Sequence, residues 1–218
     1  RGDIIVKFNG KEILSVENLP KQVAAVEPGK SVKVEVIRDG NKKLLDVTLD
    51  KMQEVKKLIS IKNKSENNVA MSLAKWLSDV PLIYYPWGLE CVAIRFKSSL
   101  QENSKTHVII EDIVESCHNG VVAWEKKSTI KPIMIRGNDD HFRTAEKYKI
   151  LSEYFDGEKI DYKQVFSGNG NILTKIISLI YILDYVTIYK SILEGIDPTP
   201  VKTIEYIKNK IDSQDKID

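Results

Sequence analysis

Residues 80–112, VPLIYYPWGLECVAIRFKSSLQENSKTHVIIED, decide the fold that the sequence predicts. The run Val80–Pro86 is continuously apolar, which is typical of a strand buried on both faces of a parallel sheet. Apolar residues then recur at helical spacing, at Leu89, Val92, Ala93, Phe96 and Leu100. A second apolar strand, Thr106–Asp112, follows. The stretch therefore predicts a strand–helix–strand unit of a parallel sheet.

The same alternation continues downstream. Two further strands are predicted, KPIMIRG at Lys131–Gly137 and DYKQVF at Asp161–Phe166. Helical patterns follow each of them, at His141–Phe155 and at Asn171–Gly195. A last helix is predicted at Asp197–Ile211, with prolines in its first turn. The fold class is therefore α/β, with a doubly wound parallel sheet and helices on both faces.

The first 50 residues have a different character, because strands there surround a single short helix. Ser15 is a predicted N-cap for this helix, and Pro28-Gly29 is predicted to close it. A hairpin with a turn at Asp39-Gly40 follows. Its inward-facing residues on the first strand are predicted to be Val32, Val34 and Val36, and Leu44, Val47 and Leu49 lie on the returning strand. This β-rich unit is smaller than most domains that fold unaided.

Composition excludes several classes of function. The 33 basic and 31 acidic residues are interleaved, so no nucleic-acid partner is expected. The most apolar run, Ile176–Tyr189, contains Asp184 and is too short to span a bilayer, so it predicts a buried helix and no membrane partner. The only cysteines, Cys91 and Cys117, indicate a reducing compartment, and we expect a cytoplasmic protein.

Few motifs point to chemistry. The loop SGNGN at Ser167–Asn171 could bind a phosphate, but a turn with a helix N-cap explains it as well. Adjacent residues such as Cys117 and His118 rarely face each other as nucleophile and base. The three histidines lie far apart in the chain, so neither a metal nor a cofactor is expected. The acids of Asn138–His141 are predicted to lie at a helix N-terminus.

Glu102 and His118 remain as a carboxylate and an imidazole that could move protons. Glu102 ends the predicted helix beside the start of the next strand, and His118 lies beyond the far end of that strand. Five strand residues separate them by roughly 16 Å. Unless the loop folds back, they can cooperate only across a dimer interface. A solvated helix end and an ordinary loop histidine remain the alternative interpretation.

A resemblance extends this interpretation. The segments RFKSSLQENSK (Arg95–Lys105), VESCHNGVVAWE (Val114–Glu125) and GIDPTPVKTIEYIK (Gly195–Lys208) resemble the C-terminal sugar isomerase (SIS) domain of the archaeal-type bifunctional phosphoglucose/phosphomannose isomerases. The resemblance covers residues 66–211 and implies a doubly wound SIS-type domain. It also implies interconversion of glucose 6-phosphate or mannose 6-phosphate with fructose 6-phosphate.

The resemblance assigns roles to individual residues. It implies that Glu102 carries the proton between C1 and C2, and that His118 of a partner subunit in a homodimer helps to open the sugar ring. Thr199 corresponds to the threonine that replaces a ring-opening lysine. The substrate-binding residues that it implies are Arg95, Lys97 and Asn119. No cofactor is implied, and the substrate is a sugar phosphate.

The sequence departs from this family in two ways. The family's Pro-Glu-x-Asn-His-Asn pattern appears here as Val114–Asn119, VESCHN, without its proline and first asparagine. The first SIS domain, which supplies most phosphate-binding residues in the family, is not seen upstream. Residues 1–50 instead resemble the C-terminal two-thirds of a PDZ domain of HtrA-like serine proteases, on the runs GDIIVKFNGKEI and PGKSVKVEVIRDG.

Four segments are therefore expected: a partial PDZ-like segment (1–50), a linker (51–65), the SIS-type domain (66–211) and a tail (212–218). The PDZ-like segment lacks the carboxylate loop and pairing strand, and retains a groove wall around Leu19 and Val23. Three functions stay open. They are a sugar-phosphate isomerase, a non-catalytic sugar-phosphate-binding or dimerisation module, and a PDZ-type peptide-binding fragment of an HtrA-like protease.

Overall fold

The structure is a computed structural model, and it describes residues 4–14, 18–27, 29–38, 40–48, 68–77 and 80–214. The chain divides into two compact units, Arg1–Glu54 and Val55–Asp218. Each unit is described by itself below. The predictions for Ser15, Pro28, Asp39, Leu49 and the linker 51–65 fall outside the described residues.

The described residues of the first unit form an antiparallel sheet with one helix. Its elements are β1 (Ile4–Phe8), β2 (Lys11–Glu12), α1 (Asn18–Ala24), β3 (Ser31–Arg38) and β4 (Asn41–Thr48). The strand order is β2-β1-β3-β4. The predicted inward face of β3 is confirmed, because the core of this unit consists of Phe8, Val32, Val34 and Val36.

The apolar residues of the returning strand, β4, do not all face the core. Leu44 is 60% exposed, whereas Leu45 and Val47 pack against the core. Side chains alternate between the faces of a strand, so residues three apart, such as Leu44 and Val47, must face opposite ways. Leu19 and Val23 of α1 also pack against this core, and that contact holds part of the predicted groove wall inside the unit.

The second unit is a three-layer α/β domain, as predicted. Its four strands are β5 (Pro81–Tyr85), β6 (Ile109–Asp112), β7 (Lys131–Arg136) and β8 (Lys163–Phe166). They form a parallel sheet in the order β6-β5-β7-β8. The helices are α2 (Val69–Trp76), α3 (Glu90–Asn103), α4 (Ile113–Ser116), α5 (Phe142–Gly157), α6 (Ile172–Leu193) and α7 (Lys202–Gln214), with a 3₁₀ helix at Gly120–Glu125.

The sheet separates two hydrophobic cores, because successive residues of a strand point to opposite faces. Ile83 of β5 lies in a core with α2, α3 and α6. Its neighbour Tyr84 lies in a second core with α4, α5 and the 3₁₀ helix. The predicted apolar face of α3 is confirmed, since its residues in the first core are at most 3% exposed, namely Leu89, Val92, Ala93, Phe96 and Leu100.

Helix α6 confirms the predicted helix Asn171–Gly195 and extends beyond the apolar run Ile176–Tyr189. Its 22 residues are long and apolar enough, by length and composition, to cross a membrane. Within the unit it is a core helix, because Leu179, Leu183 and Val186 are buried in the first core. Core helices of this kind pass the same length and composition test.

The start of α7 differs from the prediction. Pro198 and Pro200 lie before α7, which begins only at Lys202. The residue that precedes a proline is disfavoured in helical conformation, so Asp197 and Thr199 stay outside the helix. The loop between α6 and α7 is therefore longer than the sequence suggests.

Candidate active site

Helix α3 places Glu102 at the end of the sheet where the strands begin, beside the first residue of β6. Because β5 and β6 are parallel, the helix that connects them must run in the opposite direction. Glu102 lies in the last turn of α3, and its side chain is exposed. The buried residues Phe96 and Leu100 fix this end of the helix on the sheet.

Thr199 lies at the same end of the sheet, in the loop that follows α6. Helix α6 follows β8 and runs back along the sheet, so the loop after it lies near the end of α3. The Lys105 ammonium records this proximity, because its Nζ donates to the Glu102 carbonyl at 2.7 Å and to the Pro200 carbonyl at 2.8 Å. It also contacts the Pro198 carbonyl at 3.4 Å. Thr199 lies between these two prolines.

Asp197 holds Thr199 within this loop. The Thr199 N–H donates to Asp197 Oδ1 at 2.9 Å. Hydrogen bonds from the backbone and side chain of Thr199 hold the pKa of Asp197 below its ordinary value, and the positive charge of Lys105 acts in the same direction. The carboxylate of Asp197 therefore stays ionised and keeps the threonine in place.

Arg95 already has a partner. Its guanidinium donates to both carboxylate oxygens of Asp184 on α6, at 3.2 and 3.0 Å, and Ser99 donates to the same carboxylate at 3.3 Å. The hydrogen bonds and the charge of Asp184 raise the pKa of Arg95. Lys97 is half-buried on the same helix, and the structure records no ion pair for it among the described residues.

His118 lies at the opposite end of the sheet, beyond the last residue of β6. Asp112 caps α4 there by accepting the N–H groups of Val114 and Glu115, at 2.7 and 3.1 Å. The His118 N–H then donates to the Glu115 carbonyl at 2.9 Å, and the imidazole is exposed. Asn119 donates to the Glu115 carboxylate at 3.3 Å. One subunit therefore places His118 and Glu102 at opposite ends of β6.

The loop Ser167–Asn171 is a turn with a helix cap. The Asn171 side chain accepts the N–H of Thr174 at 3.0 Å, which caps α6. The Gly168 N–H donates to Ser178 at 2.9 Å. The predicted turn and helix cap are therefore confirmed.

The acids of Asn138–His141 lie directly before α5, as predicted, and they also make ion pairs. Asp140 pairs with Arg136 at 2.7 Å, Asp139 pairs with Lys175, and His141 itself caps α5. Within the described ranges, no group of three histidine, cysteine, aspartate or glutamate side chains lies close enough to hold a metal ion.

Two residues of this site were not anticipated as such from the sequence. Asp184 is the one charged residue of the apolar run Ile176–Tyr189, and a charged residue in such a run indicates a partner of opposite charge. That signal identifies the need for a cation but not Arg95, which is 89 residues away. Asp197 precedes a proline, and a short polar side chain at that position is typical of a turn.

This fold, and the positions of the candidate residues at the two ends of the sheet, define the class of the second unit as an SIS-type α/β domain. A glucose-6-phosphate isomerase like protein from Thermus thermophilus has a similar structure, with a TM-score of 0.57 and 17% sequence identity. The match covers 72% of this chain and 52% of that chain. At this level of identity the likeness shows the fold alone.

Residues 66–211 match the family described as the bacterial phospho-glucose isomerase C-terminal SIS domain, and the chain belongs to this family. The bifunctional phosphoglucose/phosphomannose isomerase of Caldicellulosiruptor bescii is 31% identical over 181 residues, which is 77% of this chain and 53% of that protein. The enzyme of the same name from Aquifex aeolicus is 26% identical over 173 residues, 77% of this chain and 54% of that protein. The chain spans about half the length of the curated relatives it matches.

Residues 1–49 match the PDZ domain family. A protein named "Probable periplasmic serine endoprotease DegP-like" from Ectopseudomonas mendocina is 40% identical over 53 residues, which is 24% of this chain and 11% of that protein. Both resemblances drawn from the sequence are therefore confirmed at the level of family.

Proposed function

We propose that this chain contributes the C-terminal SIS half of a sugar-phosphate aldose–ketose isomerase. The substrates are glucose 6-phosphate, mannose 6-phosphate and fructose 6-phosphate. One observation carries the proposal. Glu102 and the Thr199 loop are distant in sequence, but hydrogen bonds from Lys105 join them at one end of the sheet. The names of the relatives from Caldicellulosiruptor bescii and Aquifex aeolicus support the same reaction.

The reaction requires one group that removes a proton next to a carbonyl and returns it to the neighbouring carbon. A carboxylate can do both, and the exposed side chain of Glu102 is accessible to a substrate. Thr199 is held beside it by Asp197, where its hydroxyl can hydrogen-bond the sugar as the ring opens.

His118 acts on the ring oxygen from a second subunit in this proposal. The two ring nitrogens of an imidazole can donate and accept a proton, which ring opening requires. Within one subunit it lies beyond the far end of β6 from Glu102. A homodimer in which the Glu102 end of one sheet meets the His118 end of the partner's sheet would complete the site. Asn119, Arg95 and Lys97 would then contact the substrate.

The first experiment is a coupled assay of fructose 6-phosphate conversion to glucose 6-phosphate and mannose 6-phosphate. Wild-type chain is compared with Glu102→Gln and with the control Glu146→Gln, at a glutamate of α5. We expect activity in the wild type and the control, and a loss of at least about 100-fold in Glu102→Gln. Equal activity in all three proteins would contradict the role of Glu102.

The shared site is tested by mixing two inactive variants, Glu102→Gln and His118→Ala. Random exchange of subunits gives a mixed dimer with one intact site, so activity should return to about one quarter of wild type. A mixture that stays inactive, although subunit exchange is demonstrated, would show that both residues must come from the same chain.

A second candidate function is a sugar-phosphate-binding or dimerisation module without catalysis. The observation that favours it is the pairing of Arg95 with Asp184, which engages a predicted substrate-binding cation in an ion pair with α6. Calorimetry with fructose 6-phosphate separates the two functions. Binding without conversion, in a chain of confirmed fold, would support the module.

The cytoplasm is the proposed location. Cys91 and Cys117 are both free thiols, and Cys91 is exposed, as is typical of a reducing compartment. Cell fractionation with a tagged chain tests this proposal. Recovery of the protein from an oxidising compartment would overturn it.

A further inference from the structure

Lys105 follows α3 directly and carries an inference that rests on the function proposed above. Its backbone lies in the left-handed region, with φ at 55°. Residues other than glycine, asparagine and aspartate adopt this conformation at an energetic cost. A lysine at this position suggests that its side chain makes contacts that glycine could not supply.

Those contacts are three backbone carbonyls from two segments of the chain. The ammonium group has three N–H donors, and they reach the carbonyls of Glu102, Pro198 and Pro200 at 2.7, 3.4 and 2.8 Å. The Glu102 carbonyl is among the last four of α3, which have no partner within the helix. A positive charge is also favourable at the C-terminal end of a helix.

The other two carbonyls lie on either side of Thr199. A single charged group thus holds both ends of the Thr199 peptide segment against the turn that carries Glu102. Asp197, within the same loop, adds a hydrogen bond to the Thr199 N–H at 2.9 Å. Its carboxylate and the Lys105 ammonium have opposite charges, which favours the same arrangement.

We propose that Lys105 is a positioning residue, which ties the loop 196–201 to the end of α3 and thereby sets Glu102 against Thr199. It acts through these two residues and makes its contacts with backbone carbonyls. An arginine can donate to the same carbonyls, whereas a methionine of similar length cannot donate at all. The two replacements therefore separate hydrogen bonding from packing.

The first test is hydrogen exchange at the amides of Thr199 and Val201, measured by NMR on the full chain. We expect faster exchange at these amides in Lys105→Met, and rates near those of wild type in Lys105→Arg. Lys159→Met is the matched control, because Lys159 is also an exposed left-handed lysine after a helix, with φ at 57°. Unchanged exchange in Lys105→Met would overturn the proposal.

The second test is kinetic. In an active chain, Lys105→Met should lower kcat for fructose 6-phosphate by about 10- to 100-fold, since small displacements of reacting groups have effects of this size. KM should change by less than about 2-fold, and Lys105→Arg should recover most of kcat. An unchanged kcat in Lys105→Met would overturn the positioning role.

The two tests separate this proposal from the function on which it rests. If the wild-type chain converts no sugar phosphate, the proposed function fails, while the exchange rates of Lys105→Met and Lys159→Met still decide whether Lys105 holds the loop. If the chain is active and the loop exchanges normally without Lys105, only the positioning role fails.

Discussion

At the scale of single residues, the pair of Arg95 and Asp184 joins α3 to α6 close to the candidate site. The exposed fractions of the two side chains are 57% and 30%, so water competes for both. A double-mutant cycle with Arg95→Met and Asp184→Asn should give a coupling energy of about 1 kcal/mol or less. Urea unfolding of the four proteins measures it.

The same cycle informs the role of Arg95 in substrate binding. If Arg95 serves only to hold α6, KM for fructose 6-phosphate should rise equally in Arg95→Met and Asp184→Asn. If Arg95 binds the substrate, KM should rise in Arg95→Met alone. A coupling energy near zero would show that the ion pair contributes nothing to stability.

Tyr148 predicts how stability depends on pH. Burial raises the pKa of Tyr148 above its ordinary value, and the nearby charge of Asp140 acts in the same direction. The unfolded chain releases this proton near pH 10, while the folded chain retains it, so the unfolded state is favoured as pH rises. The stabilising contribution is complete below pH 10 and is lost above it.

Urea unfolding at pH 8 and pH 11 tests this prediction. The free energy of unfolding should fall by up to about 1.4 kcal/mol per pH unit above pH 10 for Tyr148 alone. Tyr148→Phe should show a smaller fall, although it loses a hydrogen bond to the Ile135 carbonyl. The control is Tyr206→Phe at a residue that is 64% exposed, and it should behave like wild type. Equal slopes for all three proteins would contradict the assignment.

At the scale of elements, Gly120 determines how the loop after α4 folds. A Cβ at this position would lie 2.4 Å from a carboxylate oxygen of Glu111 and 2.9 Å from the Ser116 hydroxyl. The hydrogen bond from Ser116 to Glu111, at 2.8 Å, occupies this space. The loop that carries His118 therefore depends on the absence of a side chain two residues further on.

Gly120→Ala should lower the free energy of unfolding by about 1–3 kcal/mol, because the side chain forces Glu111 and Ser116 apart. Gly157→Ala is the matched control, since no atom lies within 4 Å of its added Cβ. It should be neutral, or stabilising by up to about 1 kcal/mol, at the end of α5. Thermal and urea unfolding measure both changes, and equal stability of the two variants would refute the steric argument.

The elements also show what the sequence can predict. Apolar spacing predicts the buried face of α3 correctly, because a helix with one apolar stripe has only one way to pack. The exposure of Leu44 was not predictable in the same way, because apolar character alone does not show which face of a strand a residue occupies. The left-handed lysine after α3 and the partner of Asp184 were not predictable, since both depend on contacts between residues about 90 positions apart.

At the scale of the whole molecule, the two compact units should unfold separately. The first has a small core centred on Phe8, which is 1% exposed. Removing such a side chain costs about 3–5 kcal/mol, which is comparable to the whole stability expected of so small a unit. Phe8→Ala should therefore unfold the first unit and leave the second unit folded.

Amide exchange on the full chain distinguishes the outcomes. In Phe8→Ala the strands of the first unit should lose protection, while protection in β5 and β7 stays at the wild-type level. Lys43→Ala, at an exposed position of β4, is the control and should change neither unit. Loss of protection in both units would show that they fold as one.

The central sheet of the second unit separates the core that supports Glu102 from the core that supports His118. Glu102 stands on a helix whose packing depends on the core that contains Ile83, whereas His118 follows elements packed in the core that contains Tyr84. Ile83 and Tyr84 are neighbours in β5, and they therefore support different residues of the proposed site. A substitution that loosens one of the two cores should therefore disturb the candidate residue on that side of the sheet first.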